Sequence, residues 1–303
     1  MNQSNTIPNN CIEINVPITR TLITEIPNMT YSQVWVTGYG NICLRMNILK
    51  PQSEKPVPAI IFVTGGRFLY AKKENNIQNR IRLAEAGFLV ASIEYRVAPI
   101  ALFPAPVEDI KSAIRYLRSK EKEYNIDTAH IGVYGQSAGG YIATMAGTTN
   151  GSDLFDKGDN LDYSSDIHAV VDLYGVTNLD TIGKDFSKEE EKLHTTSPAA
   201  PEALFLYGAD IHTNHGVSYD AHKLKESNPM TYISDKTPPF LIMHGGMDDV
   251  MSVSESEQLN NALKDHNIES SFYFIKNGQH GGMAWVQEPV ISIIIDFFSK
   301  HLK

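Results

Sequence analysis

One stretch, residues 129–148, limits what this chain can fold into more than any other. It begins with an apolar run at 131–134, continues as Gly-Gln-Ser-Ala-Gly at 135–139, and ends in small residues at helical spacing. A strand, a sharp turn and a helix with a serine at the apex are typical of an exposed nucleophile. Glycines two residues to either side of Ser137 suit a strained turn that packs closely against neighbouring strands. The alternative is a tight strand–helix turn around an inert serine.

The rest of the sequence alternates between strand and helix patterns. After a β-rich stretch at 11–27 that Pro27 and Asn28 interrupt, segments 31–37 and 42–49 predict an antiparallel edge. Further strands are predicted at 59–63, 88–95, 131–134, 168–174, 239–243 and 271–275. Helices are predicted at 74–86, 104–119, 254–265 and 284–300. This order predicts an α/β fold, with a mostly parallel central sheet and helices on both faces.

The interval 177–236 breaks this alternation. It is polar, contains several Pro and Asn residues, and is longer than a crossover between strands needs to be. We therefore expect one domain over residues 1–303, with 177–236 forming a small helical cap inserted over the C-terminal edge of the sheet. Its histidines and one aspartate resemble metal ligands, but we expect exposed side chains and no metal. These residues are His194, Asp210, His212, His215 and His222.

Composition excludes several classes of partner. The net charge of −9 argues against nucleic acid and anionic membranes, which select basic surfaces. The longest apolar runs have strand length, and the N-terminus has no secretory pattern. Cys11 and Cys43 are too few for a disulfide framework or a cysteine metal site. We expect a cytoplasmic monomer or homodimer that binds a small molecule and needs no cofactor.

A nucleophilic serine needs a base, and the base needs a carboxylate that orients it. With this turn the chain order is Ser, then Asp or Glu, then His, each after a late strand. His280 lies in a glycine-rich loop after the last predicted strand and is the predicted base. The carboxylate is Asp248 or Asp249, since both follow the strand at 239–243. We favour Asp248, with Asp249 in solvent or capping the next turn.

The remaining requirement is a set of donors for an oxyanion. One is the backbone N–H of Ala138, and the others are expected in the loop at 64–68, where glycines allow a substrate carbonyl to approach. The alternative for this loop is a plain Gly-Gly turn. Four apolar residues near these loops are predicted to line the substrate pocket, with core packing as an equal alternative. They are Phe68, Met247, Met283 and Trp285.

Together these segments resemble the α/β-hydrolase esterases related to hormone-sensitive lipase and to bacterial feruloyl and acetyl-xylan esterases. The resemblance covers nearly the whole chain from about residue 30. Residues 62–68 look like the family's His-Gly-Gly-Gly loop, and 94–99 with 103–109 look like its D-Y-R-L-A-P and F-P-A-P-x-x-D segments. Residues 135–140 match its nucleophile motif G-x-S-A-G-G. His244, Gly245 and Asp248 match its acid loop, which supports Asp248 over Asp249.

The resemblance implies a serine carboxylesterase that forms an acyl-enzyme from short-chain or polar esters, with acetylated sugars and feruloyl esters as candidates. An amidase, formamidase or small peptidase with the same triad is the alternative, followed by a non-catalytic binding protein. The implied oxyanion donors in the loop are the amides of Gly66 and Arg67. Thr64 and Arg67 depart from the family's His and third Gly. We expect Arg67 to reach into the acyl or alcohol pocket and favour polar or acidic esters, the alternative being a solvated side chain.

Overall fold

A single mixed sheet organises the fold. In the computed structural model, which describes residues 10–209 and 215–303, eight strands lie in the order β1-β2-β4-β3-β5-β6-β7-β8. They are β1 (Ile23–Val36), β2 (Gly40–Pro51), β3 (Val57–Val63), β4 (Leu89–Ile93), β5 (Ile126–Gln136), β6 (Ala169–Leu173), β7 (Phe240–Gly245) and β8 (Ser270–Ile275). The β1–β2 and β2–β4 pairs are antiparallel, and all later pairs are parallel. This arrangement confirms the predicted fold class.

Helices cover both faces of the sheet. They are α1 (Ile77–Glu85), α2 (Ala105–Ser119), α3 (Glu121–Tyr124), α4 (Ala138–Thr148), α5 (Lys188–Thr196), α6 (Pro201–Tyr207), α7 (Ala221–Glu226), α8 (Val253–Asp265) and α9 (Val290–Leu302). Leu83 of α1 and Phe298 of α9 pack in one buried apolar cluster, while Ile114 of α2, Ile142 of α4 and Leu259 of α8 pack in another. The central strands are therefore buried on both sides, which explains their continuous apolar runs.

The long interval between β6 and β7 contains helical segments, as its polar composition suggested. α5, α6, α7 and two short 3₁₀ helices lie within residues 177–236. α5 begins with a capping box, in which the Ser187 hydroxyl accepts from the Glu190 amide and the Glu190 carboxylate accepts from the Ser187 amide. The division of the chain into one domain and a cap stays a prediction. Among the described residues, no helix combines the length and the apolar character needed to cross a bilayer.

Two boundaries differ from the prediction because of proline. Pro27 and Asn28 were expected to end a run, yet β1 continues through them with an irregular register between Ile26 and Met29. An edge strand tolerates this, because proline there needs no ladder partner for its missing N–H. The predicted helix at 284–300 is instead a 3₁₀ turn (Met283–Val286) followed by α9, which starts after Pro289. Proline favours the first turn of a helix and interrupts its interior.

The turn between β5 and α4 depends on close backbone approach. A Cβ atom on Gly135 would overlap the carbonyl of Gly139, and one on Gly139 would overlap the carbonyls of Val63 and Thr64. Gly140 similarly packs against Asp172 at the end of β6. These contacts hold the first turn of α4 against β3 and β6. The turn therefore accommodates no side chain at these positions.

We predict that Gly135→Ala lowers the free energy of unfolding by about 3 kcal/mol or more, because its methyl group meets backbone atoms that cannot move independently. Gly38→Ala is the matched control: Gly38 has φ +84° but open space around its Cβ position. Backbone strain alone should make the control cost about 1 kcal/mol. Urea unfolding measures both variants. Equal losses would contradict the overlap argument.

Candidate active site

Ser137 lies at the apex of the turn, between the end of β5 and the start of α4. Its backbone has φ 54° and ψ −125°, a conformation that residues other than glycine rarely adopt. Such strain typically costs about 1–3 kcal/mol and persists only where surrounding structure imposes it. The Ser137 amide donates to the carbonyl of Leu173 at 2.9 Å, which ties the apex to the end of β6. The strained backbone places the side chain above the sheet edge.

The structure brings Ser137, His280 and Asp248 together from three separate loops. Ser137 Oγ lies 2.8 Å from His280 Nε2, and His280 Nδ1 lies 2.8 Å from Asp248 Oδ2. An ionised carboxylate only accepts hydrogen bonds, so the imidazole proton belongs on Nδ1. Nε2 is then free to accept the proton of the Ser137 hydroxyl. This is the geometry that general-base activation of a serine requires.

Asp248 is held as a carboxylate by several donors. Its Oδ1 accepts from the amides of Val250 at 2.9 Å and Met251 at 2.8 Å. Burial alone would raise the pKa of Asp248, but hydrogen bonds from His244 and His280 outweigh it and hold that pKa well below the ordinary value. Asp249, by contrast, is exposed and contacts neither histidine. The expected capping role also belongs to another residue, since Ser252 caps α8.

His244 is a supporting residue that sequence reasoning did not assign. It is fully buried, with Nδ1 2.8 Å from Ser256 Oγ and Nε2 3.0 Å from the carbonyl of Met251. Because a carbonyl can only accept, Nε2 carries the proton, and it also lies 3.4 Å from Asp248 Oδ2. His244 and His280 thus both face the Oδ2 atom of Asp248. The acid-loop motif contains this histidine, so the sequence did carry a signal for its supporting role.

The loop at 64–68, here called the glycine loop, passes directly beside Ser137. A Cβ atom on Gly65 would lie 2.9 Å from the Cβ atom of Ser137, so only glycine fits there. Arg67 and Phe68 both have positive φ, at 53° and 61°. Within the described residues, the amides of Gly66 and Arg67 donate no hydrogen bond. The Ala138 amide is the first of α4 and lacks a helical partner by geometry.

The glycine loop is anchored by the segment after β4, which explains the second family-like motif. Tyr95 donates its hydroxyl to the carbonyl of Thr64 at 2.9 Å, and the Ala98 amide donates to the carbonyl of Phe68 at 2.8 Å. Between them, Arg96 pairs with Asp109 of α2 at 2.7 Å. Asp109 also accepts from the Arg96 amide at 2.7 Å. The two motifs therefore act as a brace that ties the loop to α2.

Two cavities meet at Ser137. The first, here called the cap cavity, has a volume of about 330 Å³ and is lined by both apolar and charged residues. It is lined by Phe68, Val176, Phe186, Leu193, Ala200 and Met251, together with Arg67, Glu190, His194, Glu202 and Asp249. The second, here called the polar cavity, has a volume of about 200 Å³. It is lined by the glycine loop with Tyr70, Asn75, Asn76, Gln136, Tyr174 and His280.

The four residues predicted to line the pocket lie in different environments. Phe68 lines the cap cavity and stacks on Phe205, with ring centroids 4.2 Å apart. Met247 and Met283 are exposed and line neither cavity at Ser137, so the structure does not bring them together with the other site residues. Trp285 is buried and packs edge-on against Tyr174 instead. Its role is to support Tyr174, whose ring lies against His280 with centroids 4.9 Å apart.

Asp172 is a buried carboxyl close to this network. Both of its oxygens lack a hydrogen-bond partner within the described residues. Burial raises the pKa of Asp172 to about 7, an effect that nearby His244 and the Gly175 amide only partly oppose. An isolated buried carboxylate is costly, so the neutral acid is favoured below that pH. Asp172 is therefore a buried carboxyl whose charge changes near neutral pH.

The candidate metal ligands of the interval 177–236 do not form a cluster where they can be described. His194 pairs with Glu202, with Nδ1 3.3 Å from Oε2, and this hydrogen bond raises the pKa of His194. His222 is exposed beside Glu226. Across residues 10–209 and 215–303, no three His, Cys, Asp or Glu side chains could share a metal ion. Asp210 and His212 lie outside the described residues.

The sequence matches the family designated BD-FAE over residues 46–263, most of the chain. The chain belongs to the BD-FAE family. It is 29% identical to "Esterase LipC" of Mycobacterium tuberculosis over 222 residues, covering 71% of this chain and 50% of that protein. This member spans about half the length of the curated relatives it matches first. The resemblance to esterases expected from the motifs is thereby confirmed.

Solved structures show the same fold. A truncated carbohydrate esterase from gut microbiota has a TM-score of 0.74 and 26% identity, covering 91% of this chain and 95% of that one. An acetyl ester-xyloside bifunctional hydrolase from Caldicellulosiruptor lactoaceticus has a TM-score of 0.68 and 26% identity, covering 86% and 88%. The names of these two proteins agree with the predicted class, carboxylic ester hydrolases.

We predict that Asp248→Asn lowers kcat by roughly 10³–10⁴-fold on an aryl ester. The amide cannot fix the proton on His280 Nδ1, so the imidazole loses the tautomer that accepts from Ser137. Asp249→Asn is the matched control, because Asp249 neighbours Asp248 but does not contact His280. Its effect should fall mainly on KM. Equal losses of kcat in the two variants would contradict the assignment of Asp248.

We also predict that Asp172→Asn changes how stability depends on pH. A raised pKa in the folded state stabilises the fold at low pH, and this contribution is lost as pH rises through about 7. Asparagine cannot ionise, so the variant should gain roughly 2 kcal/mol relative to wild type between pH 5 and pH 8. Urea unfolding at both pH values measures this. Asp265→Asn, at the exposed end of α8, should show no gain.

Proposed function

We propose that this protein is a serine carboxylesterase that hydrolyses short-chain or polar esters through an acyl-enzyme. One observation carries the proposal: a continuous hydrogen-bonded line from Ser137 Oγ through His280 to Asp248, with both links 2.8 Å long. Such a line activates a serine that is otherwise a weak nucleophile at neutral pH. Ser137 also lines both cavities, so an ester that enters them can reach its hydroxyl.

In the first half of the reaction, Ser137 Oγ attacks the ester carbonyl as His280 Nε2 takes its proton. The carbonyl oxygen becomes an oxyanion, for which the amides of Ala138, Gly66 and Arg67 are the available donors. Each such donor typically contributes about 10²–10³ in rate. His280 then returns the proton to the leaving alcohol, and the acyl group stays on Ser137.

In the second half, a water molecule replaces the alcohol. His280 Nε2 removes one of its protons, the resulting hydroxide attacks the acyl carbonyl, and the same amides hold the second oxyanion. The proton then passes to Ser137 Oγ as the acid leaves. Asp248 stabilises the imidazolium in both halves, and its low pKa keeps it ionised throughout.

The cavities favour a substrate with one apolar and one polar part. A volume of about 330 Å³ suits a short or single-ring acyl group but not a long chain. Asn75 and Tyr70 in the polar cavity offer an amide and a hydroxyl group to an alcohol that carries hydroxyls, whereas the Gln136 amide is already bonded to Asn76 and Tyr134. The carbohydrate esterase and the acetyl ester-xyloside hydrolase among the similar structures support acetylated sugars as substrates. Feruloyl esters remain the second candidate.

An amidase, formamidase or small peptidase would use the same catalytic residues, and a non-catalytic binding protein could keep the fold. The names of the relatives favour esters over amides, and the intact hydrogen-bonded line favours catalysis over binding alone. Three further expectations stay predictions: a cytoplasmic location, a monomer or homodimer, and no nucleic-acid or membrane partner.

The proposal predicts that wild type hydrolyses para-nitrophenyl acetate, and that Ser137→Ala loses at least about 10⁴-fold in kcat. Ser292→Ala on α9, far from both cavities, is the matched control and should retain full activity. A panel of acetylated sugars, feruloyl esters and the corresponding amides then ranks the substrates.

A fluorophosphonate probe separates catalysis from binding alone. It should add one phosphonyl group to wild type, at Ser137 by peptide mass spectrometry, and none to Ser137→Ala. A folded wild type that neither reacts with the probe nor cleaves any ester of the panel would refute the proposal.

A further inference from the structure

The backbone conformation at position 67 is energetically unfavourable for an arginine. Its φ of 53° lies in the left-handed region, where an arginine is strained and a glycine is not. The neighbouring positions of the loop, Gly65 and Gly66, do carry glycine. A backbone amide at position 67 needs no side chain, so the amide alone does not explain an arginine. The side chain needs an explanation of its own.

Arg67 lies where the two cavities meet, and its charge acts to lower the pKa of His194 in the cap cavity. Arg67 is the charged residue that lines both the cap cavity and the polar cavity, and both cavities also reach Ser137. Arg67 is exposed, and within the described part of the chain its guanidinium donates no hydrogen bond and forms no ion pair. A planar group with five N–H donors is therefore available next to the reacting ester.

The carboxylates that share the cap cavity with Arg67 are mostly engaged elsewhere. Glu190 accepts from the amide and hydroxyl of Ser187 at 3.0 and 2.8 Å. Glu202 accepts from His194, whose pKa it raises, while the charge of Arg67 acts on His194 in the opposite direction. Asp249 is exposed on the same wall. The positive charge of Arg67 is thus not cancelled by a bound partner in the protein.

We propose that Arg67 is a specificity residue that pairs with a carboxylate of the substrate, so that the enzyme prefers esters carrying an anionic group a few bonds from the scissile bond. This inference rests on the ester hydrolysis proposed above. The guanidinium fork matches the two oxygens of a carboxylate, a match that lysine does not reproduce. The carboxylate belongs either to the acyl part or to the alcohol part, because Arg67 borders both cavities.

Two matched pairs of substrates distinguish these sources. For the acyl part, para-nitrophenyl monoadipate is compared with its methyl ester. For the alcohol part, meta-carboxyphenyl acetate is compared with its methyl ester. In wild type, kcat/KM should be higher for the anionic member of at least one pair, and rising salt should reduce this preference.

Arg67→Met should lower the anionic-to-neutral ratio of kcat/KM by roughly 10- to 100-fold in the pair concerned, since a hydrogen-bonded charge pair is lost. Arg67→Lys should keep a smaller preference. Asp249→Asn should increase the preference, because it removes a negative charge from the same cavity. Lys72→Met should leave the ratio unchanged. Lys72 is an exposed cation five residues after Arg67, but it lines neither cavity.

The ratio is the readout because Arg67 also offers its amide to the oxyanion, so its variants can slow neutral esters as well. Unchanged ratios in both pairs for Arg67→Met, with neutral esters still hydrolysed, would overturn the inference and leave the proposed function standing. If Lys72→Met lowers the ratio as much as Arg67→Met does, the inference is also overturned, since the preference would then reflect the overall charge of the protein. A wild type inert towards all four esters would instead overturn the proposed function, and this inference with it.

Discussion

The backbone of Ser137 must stay in a conformation that its residue type disfavours, and much of the surrounding structure serves this requirement. The strain is sustained by close packing at three glycines: Gly135 of β5 contacts α4, while Gly139 and Gly140 bring α4 against the ends of β3 and β6. The Ser137 amide is held by the end of β6. If this turn could adopt a relaxed conformation, the serine side chain would no longer be held above the sheet edge. Close packing in the core thus fixes a hydroxyl at the surface.

The same principle applies to the groups that face Ser137. Two backbone amides hold one oxygen of Asp248, and the other oxygen faces both His280 and the buried His244. Tyr174, backed by Trp285, lies against the imidazole ring. Each group that would react is therefore oriented by a buried neighbour. This arrangement reduces the reorganisation that a reaction would need.

Much of this could be predicted from the sequence, because the signals were local. Continuous apolar runs identified the buried strands, and the order of Ser137, Asp248 and His280 after successive strands followed from topology. Pro27 was misleading, since a strand's position at the sheet edge is not visible in its own residues. Met247 and Met283 were assigned to the pocket because they are near in sequence, but side-chain direction depends on turns that the pattern does not specify. The link between Tyr95, Ala98 and the glycine loop is a tertiary contact and needed coordinates.

The brace between Arg96 and Asp109 lies outside both cavities, yet it secures the segment that anchors the glycine loop. Burial raises the pKa of Asp109, even though Arg96 opposes this. Because the folded state raises the pKa of Asp109, acid favours its neutral form within the fold, and the contribution of this group to stability does not fall as the pH is lowered. Acid would instead weaken the fold through Asp248, whose pKa is held below its ordinary value, so the carboxylate that orients His280 is also a place where low pH acts against stability.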